Sequence, residues 1–99
     1  MTATVPRAIW MFTGAMVIVT MPELPAMSPP AKRSVTIGGH RTSVSLEDAF
    51  WRELRGIAKN RGQTAAALIA AIDAKRPAEV GLATALRLYV LAELLKRMR

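Results

Sequence analysis

The sequence predicts a mainly α fold with a short β-ribbon, completed by a second copy of the chain. Three observations lead there. Residues 41–46 (RTSVSL) alternate polar with apolar or β-branched side chains, the period of a half-buried strand. Residues 46–72 and 82–98 carry apolar side chains at three- and four-residue spacing, the period of helices packed on one side. Finally, a chain of 99 residues buries a modest share of its surface, and a lone short strand leaves its edges unpaired. Pairing with a twin is the economical way to complete it.

The strand region comes first. Ser34–Ile37 and Arg41–Leu46 flank Gly38-Gly39, which reads as a hairpin with a two-residue turn. In the second run Thr42, Val44 and Leu46 share one face, expected to lie on the helices. Arg41, Ser43 and Ser45 share the other, exposed and able to hydrogen-bond. Arginine can bond guanine bidentately and serine can donate or accept at several base edges; an ordinary solvated strand has the same composition. Lys32 and Arg33 form a basic flank. His40 reads as a turn residue, because the sequence holds no second histidine and no cysteine to make a metal site with it.

For the first helix, Ser45 is the expected N-cap, with Glu47 beside it and Asp48 at the capping-box position. Leu46, Phe50, Leu54 and Ile57 recur at helical spacing, supported by Ala49 and Ala58. Arg52, Arg55 and Lys59 form the outer face, and Trp51 borders the apolar stripe, where a subunit contact is expected to bury it in part. Gly62 ends the helix, after Lys59 and Arg61 at its negative pole. Thr64 caps a second helix with Leu68, Ile69 and Ile72 as its stripe. The run Ala65–Ala67 permits close backbone approach. Gln63, Thr64 and the free amides of Ala65 and Ala66 would make a phosphate-binding helix start. The expected dimer core is Val44, Leu46, Phe50, Leu54, Ile57, Leu68, Ile69 and Ile72.

Residues 73–77 (DAKRP) break the pattern, and a third helix follows from Leu82 to Met98. It carries two stripes: Leu82, Leu86, Tyr89, Val90 and Leu94, then Leu88, Leu91, Leu95 and Met98. Two stripes imply contact on two sides, as in a helix that wraps a dimer. Its cationic end, residues 96–99, suits the helix dipole.

Charge sharpens the choice of partner. The net charge is +7 and the pI near 11.2, which favours nucleic acid or an anionic membrane surface. Residues 1–26 hold only Arg7 and Glu23, so the whole excess lies in the remainder. No disulfide framework, thiolate zinc site or cysteine nucleophile can exist without cysteine. One histidine and seven carboxylates show no acid–base pair or metal cluster, so no enzyme, metal or cofactor is expected.

Residues 1–31 form a separate apolar and Pro-rich segment, with the folded domain at 32–99. Ala8–Met21 is too short to span a membrane as a helix: fourteen residues reach about 21 Å against a hydrocarbon core of about 30 Å. Three readings of the segment stay open: a signal peptide around Arg7 and Ala26, a product that starts at Met21 or Met27, and a loosely packed tail. A signal peptide would mean export; otherwise the chain is expected in the cytoplasm, associated with the nucleoid.

The string KRSVTIGGHRTSVSLEDAFWRELRGIA, followed by ALIAAID and LATALRLYVL, resembles the ribbon-helix-helix superfamily of dimeric repressors (the Arc/MetJ type). It is similar to small bacterial proteins made of one such domain, over about Lys32–Leu95. The resemblance implies an intertwined homodimer, a DNA-binding transcriptional regulator, expected to be a repressor, with paired strands in the major groove. It implies base contacts from Arg41, Ser43 and Ser45, and phosphate contacts from Lys32, Arg33, Gln63, Thr64 and Ala65. The alternative is an antitoxin-like or other interaction module that holds a protein through the C-terminal helix.

Overall fold

The computed structural model describes the backbone at residues 9–12, 15–18 and 23–98, and side chains at 23–98. Among these residues the chain forms two separate two-stranded antiparallel sheets and three helices. The first sheet pairs β1 (Ile9–Phe12) with β2 (Ala15–Ile18), an element that the sequence reading did not anticipate. Arg7 and Met21, on which the signal-peptide and alternative-start readings turn, lie outside the described residues.

The ribbon is a hairpin within one chain. β3 (Ala31–Ile37) pairs with β4 (His40–Leu46), in the register Lys32↔Ser45, Ser34↔Ser43 and Thr36↔Arg41. Gly38 and Gly39 supply φ of 58° and 81°, the pair of positive values that a type I′ turn requires and that matches strand twist. The hairpin expected from Ser34–Ile37 and Arg41–Leu46 is present, so β4 is paired along one edge by β3 of its own chain.

Each strand keeps its period of two. Val35, Val44 and Leu46 are buried, while Lys32, Ser34, Thr36, Arg41, Ser43 and Ser45 are exposed. The inner face packs against α1 (Asp48–Asn60), α2 (Ala65–Lys75) and α3 (Leu82–Arg97). The shared core is Val35, Val44, Leu46, Leu54, Ile57, Ala58, Leu68, Ile69, Leu86 and Val90. A buried Leu, Ile or Val contributes about 1.5–3 kcal/mol, so this cluster is the main favourable term. Of the expected dimer core, Val44, Leu46, Leu54, Ile57, Leu68 and Ile69 are buried within the single chain, and Phe50 and Ile72 pack half-buried at its margin.

The helix ends follow local chemistry, with one correction. Glu47, not Ser45, is the N-cap of α1, and no side chain caps it. Strand pairing explains this: Ser45 and Leu46 remain opposite Lys32 and Ala31, and full burial of Leu46 holds the strand one residue longer. At the other end Gly62, with φ of 70°, makes a Schellman turn: its N–H bonds Lys59 O at 3.0 Å and Gln63 N–H bonds Ala58 O at 2.8 Å. Thr64 caps α2, its Oγ1 accepting from Ala67 N–H at 3.0 Å. Arg76 then ties the α2–α3 connection, donating to Asp73 at 2.8 Å and to Val80 O at 2.6 Å.

On α3, Leu86 and Val90 enter the core with Leu82, Tyr89 and Leu94 beside them. The second stripe is open: Leu88, Leu91, Leu95 and Met98 are 57, 50, 48 and 80% exposed.

Candidate nucleic-acid interface

The outer face of the hairpin is built by alternation on a fixed register. Three tiers of facing residues stand on it: Lys32 with Ser45, Ser34 with Ser43, Thr36 with Arg41. All six are exposed, and none is a carboxylate. Facing side chains in an antiparallel pair start about 5 Å apart, and successive tiers are about 7 Å apart along a strand. The face is therefore about 14 Å long, roughly four base-pair steps of 3.4 Å. Four hydroxyls occupy the middle and one corner of each strand, with Lys32 and Arg41 at diagonal corners. The hydroxyls can donate or accept, and the two cations donate.

Sequence reading found Arg41, Ser43 and Ser45 on this face and missed Ser34 and Thr36. The signal was present: Val35 and Ile37 face inward, so the residues between them face outward.

The same parity turns Arg33 away from that face. It is half-buried, donates from Nε and Nη2 to Leu46 O at 3.3 and 3.1 Å, and pairs with Asp48. Its guanidinium also lies 5.4 Å from the centre of the Trp51 ring, a cation–π distance. Trp51 is thus covered in part by Arg33 of its own chain. The hydrogen bond from Arg33 holds the Asp48 carboxyl below its ordinary value, despite some desolvation. Glu47 is likewise held low, chiefly by Arg87, whose Nε and Nη2 reach its two oxygens at 2.9 and 3.3 Å. The carboxylates next to the ribbon are thus each tied to an arginine.

At the start of α2, Gln63 and Thr64 are exposed and Ala65 half-buried. Capping occupies Thr64 Oγ1, and Gln63 Oε1 accepts from Arg61 Nε at 3.3 Å. The amides of Ala65 and Ala66 begin the helix, where backbone donors lack intrahelical partners. Arg52, Arg55 and Lys59 line the exposed side of α1 around Gly56. His40 is exposed beside the turn, and the described residues hold no group of three or more metal-ligating side chains. No helix among them is long and apolar enough to cross a membrane.

A groove of about 490 Å³ runs between α2 and α3, lined by Leu68, Ala71, Ile72, Val80, Leu88 and Tyr89 among others. Tyr89 Oη is buried there without a hydrogen-bond partner. The groove adjoins the open α3 stripe through Leu88.

Against the curated proteins and the solved structures the chain has no match. A family model described as a ribbon-helix-helix domain matches residues 30–94, a span that takes in β3, β4, α1, α2 and most of α3. Domains of this family typically act as DNA-binding regulators rather than as catalysts. With the hairpin, the helices and the family model in agreement across residues 30–94, more than half of the chain, the chain belongs to the ribbon-helix-helix family.

Proposed function

We propose that the protein is a transcriptional regulator, acting as a repressor, whose homodimer places antiparallel β-ribbon in the major groove of duplex DNA. The observation that carries this reading is the outer face of the hairpin: exposed, free of carboxylates, cationic at two corners and rich in hydroxyls. A two-stranded ribbon is one of the few elements that fits a groove about 12 Å wide. Arg41, Ser43 and Ser45 are the base contacts. Lys32, Gln63, Thr64 and the Ala65 amide are the phosphate contacts, and Arg33 supports them by ordering the strand–helix junction. The free edge of β4 and the α3 stripe are the surfaces on which dimerisation is proposed. Cytoplasmic placement follows from a chromosomal ligand.

The test is duplex binding as a function of salt. Affinity is expected to fall steeply as salt rises from roughly 50 to 200 mM, by counterion release at the cations of the two protomers. R41A weakens binding to the preferred sequence more than to a scrambled one. Equal loss on both would remove Arg41 from base reading.

A second reading is favoured by one observation, the open stripe Leu88, Leu91, Leu95 and Met98. An antitoxin-like module would use it to hold a different protein. Co-purification of a stoichiometric partner from native cells supports that reading; a homodimer alone supports the first.

A further inference from the structure

We propose that the outer face of α1 is a further contact surface for duplex DNA, on which Arg52, Arg55 and Lys59 seat backbone phosphate over Gly56. The proposal rests on the major-groove reading above, and its occupant is the phosphate backbone of the duplex that the ribbon enters.

Spacing is the first support. Residues 52, 55 and 59 are three and four positions apart, so their side chains share one face of the helix. Leu54, Ile57 and Ala58 are buried in the core on the opposite face, which fixes the rotation of α1. All three cations are exposed, and no ion pair among the described residues uses them. Asp48, a turn before Arg52, is already held by Arg33 and by Ser28 Oγ at 3.3 Å. Three positive charges are thus left free on one side of α1.

The second support is Gly56. It is exposed in the middle of α1, a place where alanine would favour the helix more. Because it has no side chain, Arg52, Arg55 and Lys59 wall an open dip of about 240 Å³ around it. An added Cβ there would meet nothing within 4 Å. A phosphate can settle against the helix in this dip and accept from two guanidinium forks and one ammonium.

Continuity favours the same duplex as the source of that phosphate. Arg52 to Lys59 covers seven helical steps, about 10.5 Å. That is about three phosphates of one strand, at roughly 3.4 Å of duplex axis each. The row begins one turn after the strand–helix junction and ends just before Gly62, which turns the chain into α2. Exposed Arg61 carries the positive charge on to Gln63, Thr64 and the Ala65 amide, the proposed phosphate contacts. The row therefore extends that contact along α1.

The test compares the full wild-type chain with the triple variant R52Q/R55Q/K59Q, which keeps helix-favouring side chains, and with G56L. Thermal melts check folding, and G56L is expected to melt no lower than wild type. The triple variant is expected to bind duplex about tenfold or more weakly at roughly 100 mM salt. Its salt slope is expected to be shallower by up to about 0.9 per cation removed. Preferred and scrambled duplexes lose alike, because phosphate contacts carry no sequence information.

Replacing single backbone phosphates by neutral methylphosphonates then locates the contact. Wild type is expected to lose affinity at phosphates bordering the ribbon site to which the triple variant is indifferent. G56L, which fills the dip at constant charge, is expected to lose several-fold at the same phosphates. The proposal falls if the triple variant keeps wild-type affinity and slope, if it weakens without losing sensitivity at any phosphate, or if G56L binds as wild type does. In each of those cases a selective loss in R41A still leaves the proposed function in place. If wild type binds no duplex, both fall.

Discussion

Arg87 and Glu47 lie forty residues apart and meet through a two-pronged ion pair, Nε to Oε1 at 2.9 Å and Nη2 to Oε2 at 3.3 Å. It joins the middle of α3 to the residue that caps α1, at the point where β4 ends. A second pair, Arg33 with Asp48, closes the same corner from β3. The junction between ribbon and helices is thus tied by side chains as well as by the burial of Leu46.

These pairs predict an acid limb. Both carboxyls are held below their ordinary values, 4.5 for Glu47 and 3.8 for Asp48. A carboxyl depressed on folding adds stability above its unfolded value and loses it as pH falls through its folded value. The melting temperature of E47Q is therefore expected below wild type at pH 6–7, with the gap beginning to shrink below pH 4.5 and closing only once pH has fallen through the lower folded value of Glu47. A gap of constant size down to pH 2 would mean that the charge of Glu47 contributes nothing.

At the turn, G39A is expected to cost about 1 kcal/mol, read by urea unfolding. The cause is backbone strain at φ of 81°, since an added Cβ would meet nothing within 4 Å. G39N should recover much of the loss, because asparagine tolerates positive φ better.

Thr64 offers a separable test of its cap. T64A is expected to lose about 1 kcal/mol, the usual cost of a missing N-cap acceptor, whereas T64S keeps the bond to Ala67 N–H and stays near wild type. Urea unfolding of the pair measures it.

Much of this fold was legible from local pattern, and what was not depended on contacts between distant residues. The alternation at residues 41–46 placed Arg41, Ser43 and Ser45 outward, as observed. Gly62 and Thr64 marked their helix ends because cap chemistry is local. Ser45 was misread as the cap of α1, because a good capping residue carries no sign that Lys32 pairs opposite it. Arg33 resisted reading for the same reason. A charged side chain suggests solvent, and only the Trp51 ring, Asp48 and Leu46 O make an inward place stable. The open stripe of α3 was visible as a pattern.

The two stripes of α3 predict opposite outcomes. L86A removes a fully buried side chain and should cost about 2–5 kcal/mol. L88A and L91A, on the exposed side, should leave unfolding at low concentration within about 0.5 kcal/mol of wild type. They should weaken self-association in sedimentation equilibrium if α3 contributes to the dimer.

The most direct measurement is a map of backbone amide shifts as duplex DNA is titrated into the full chain. The account predicts the largest changes at Lys32, Arg41, Ser43 and Ser45, with a second group at Thr64–Ala66. Changes confined to α3 or to the outer side of α1, with the ribbon silent, would contradict it.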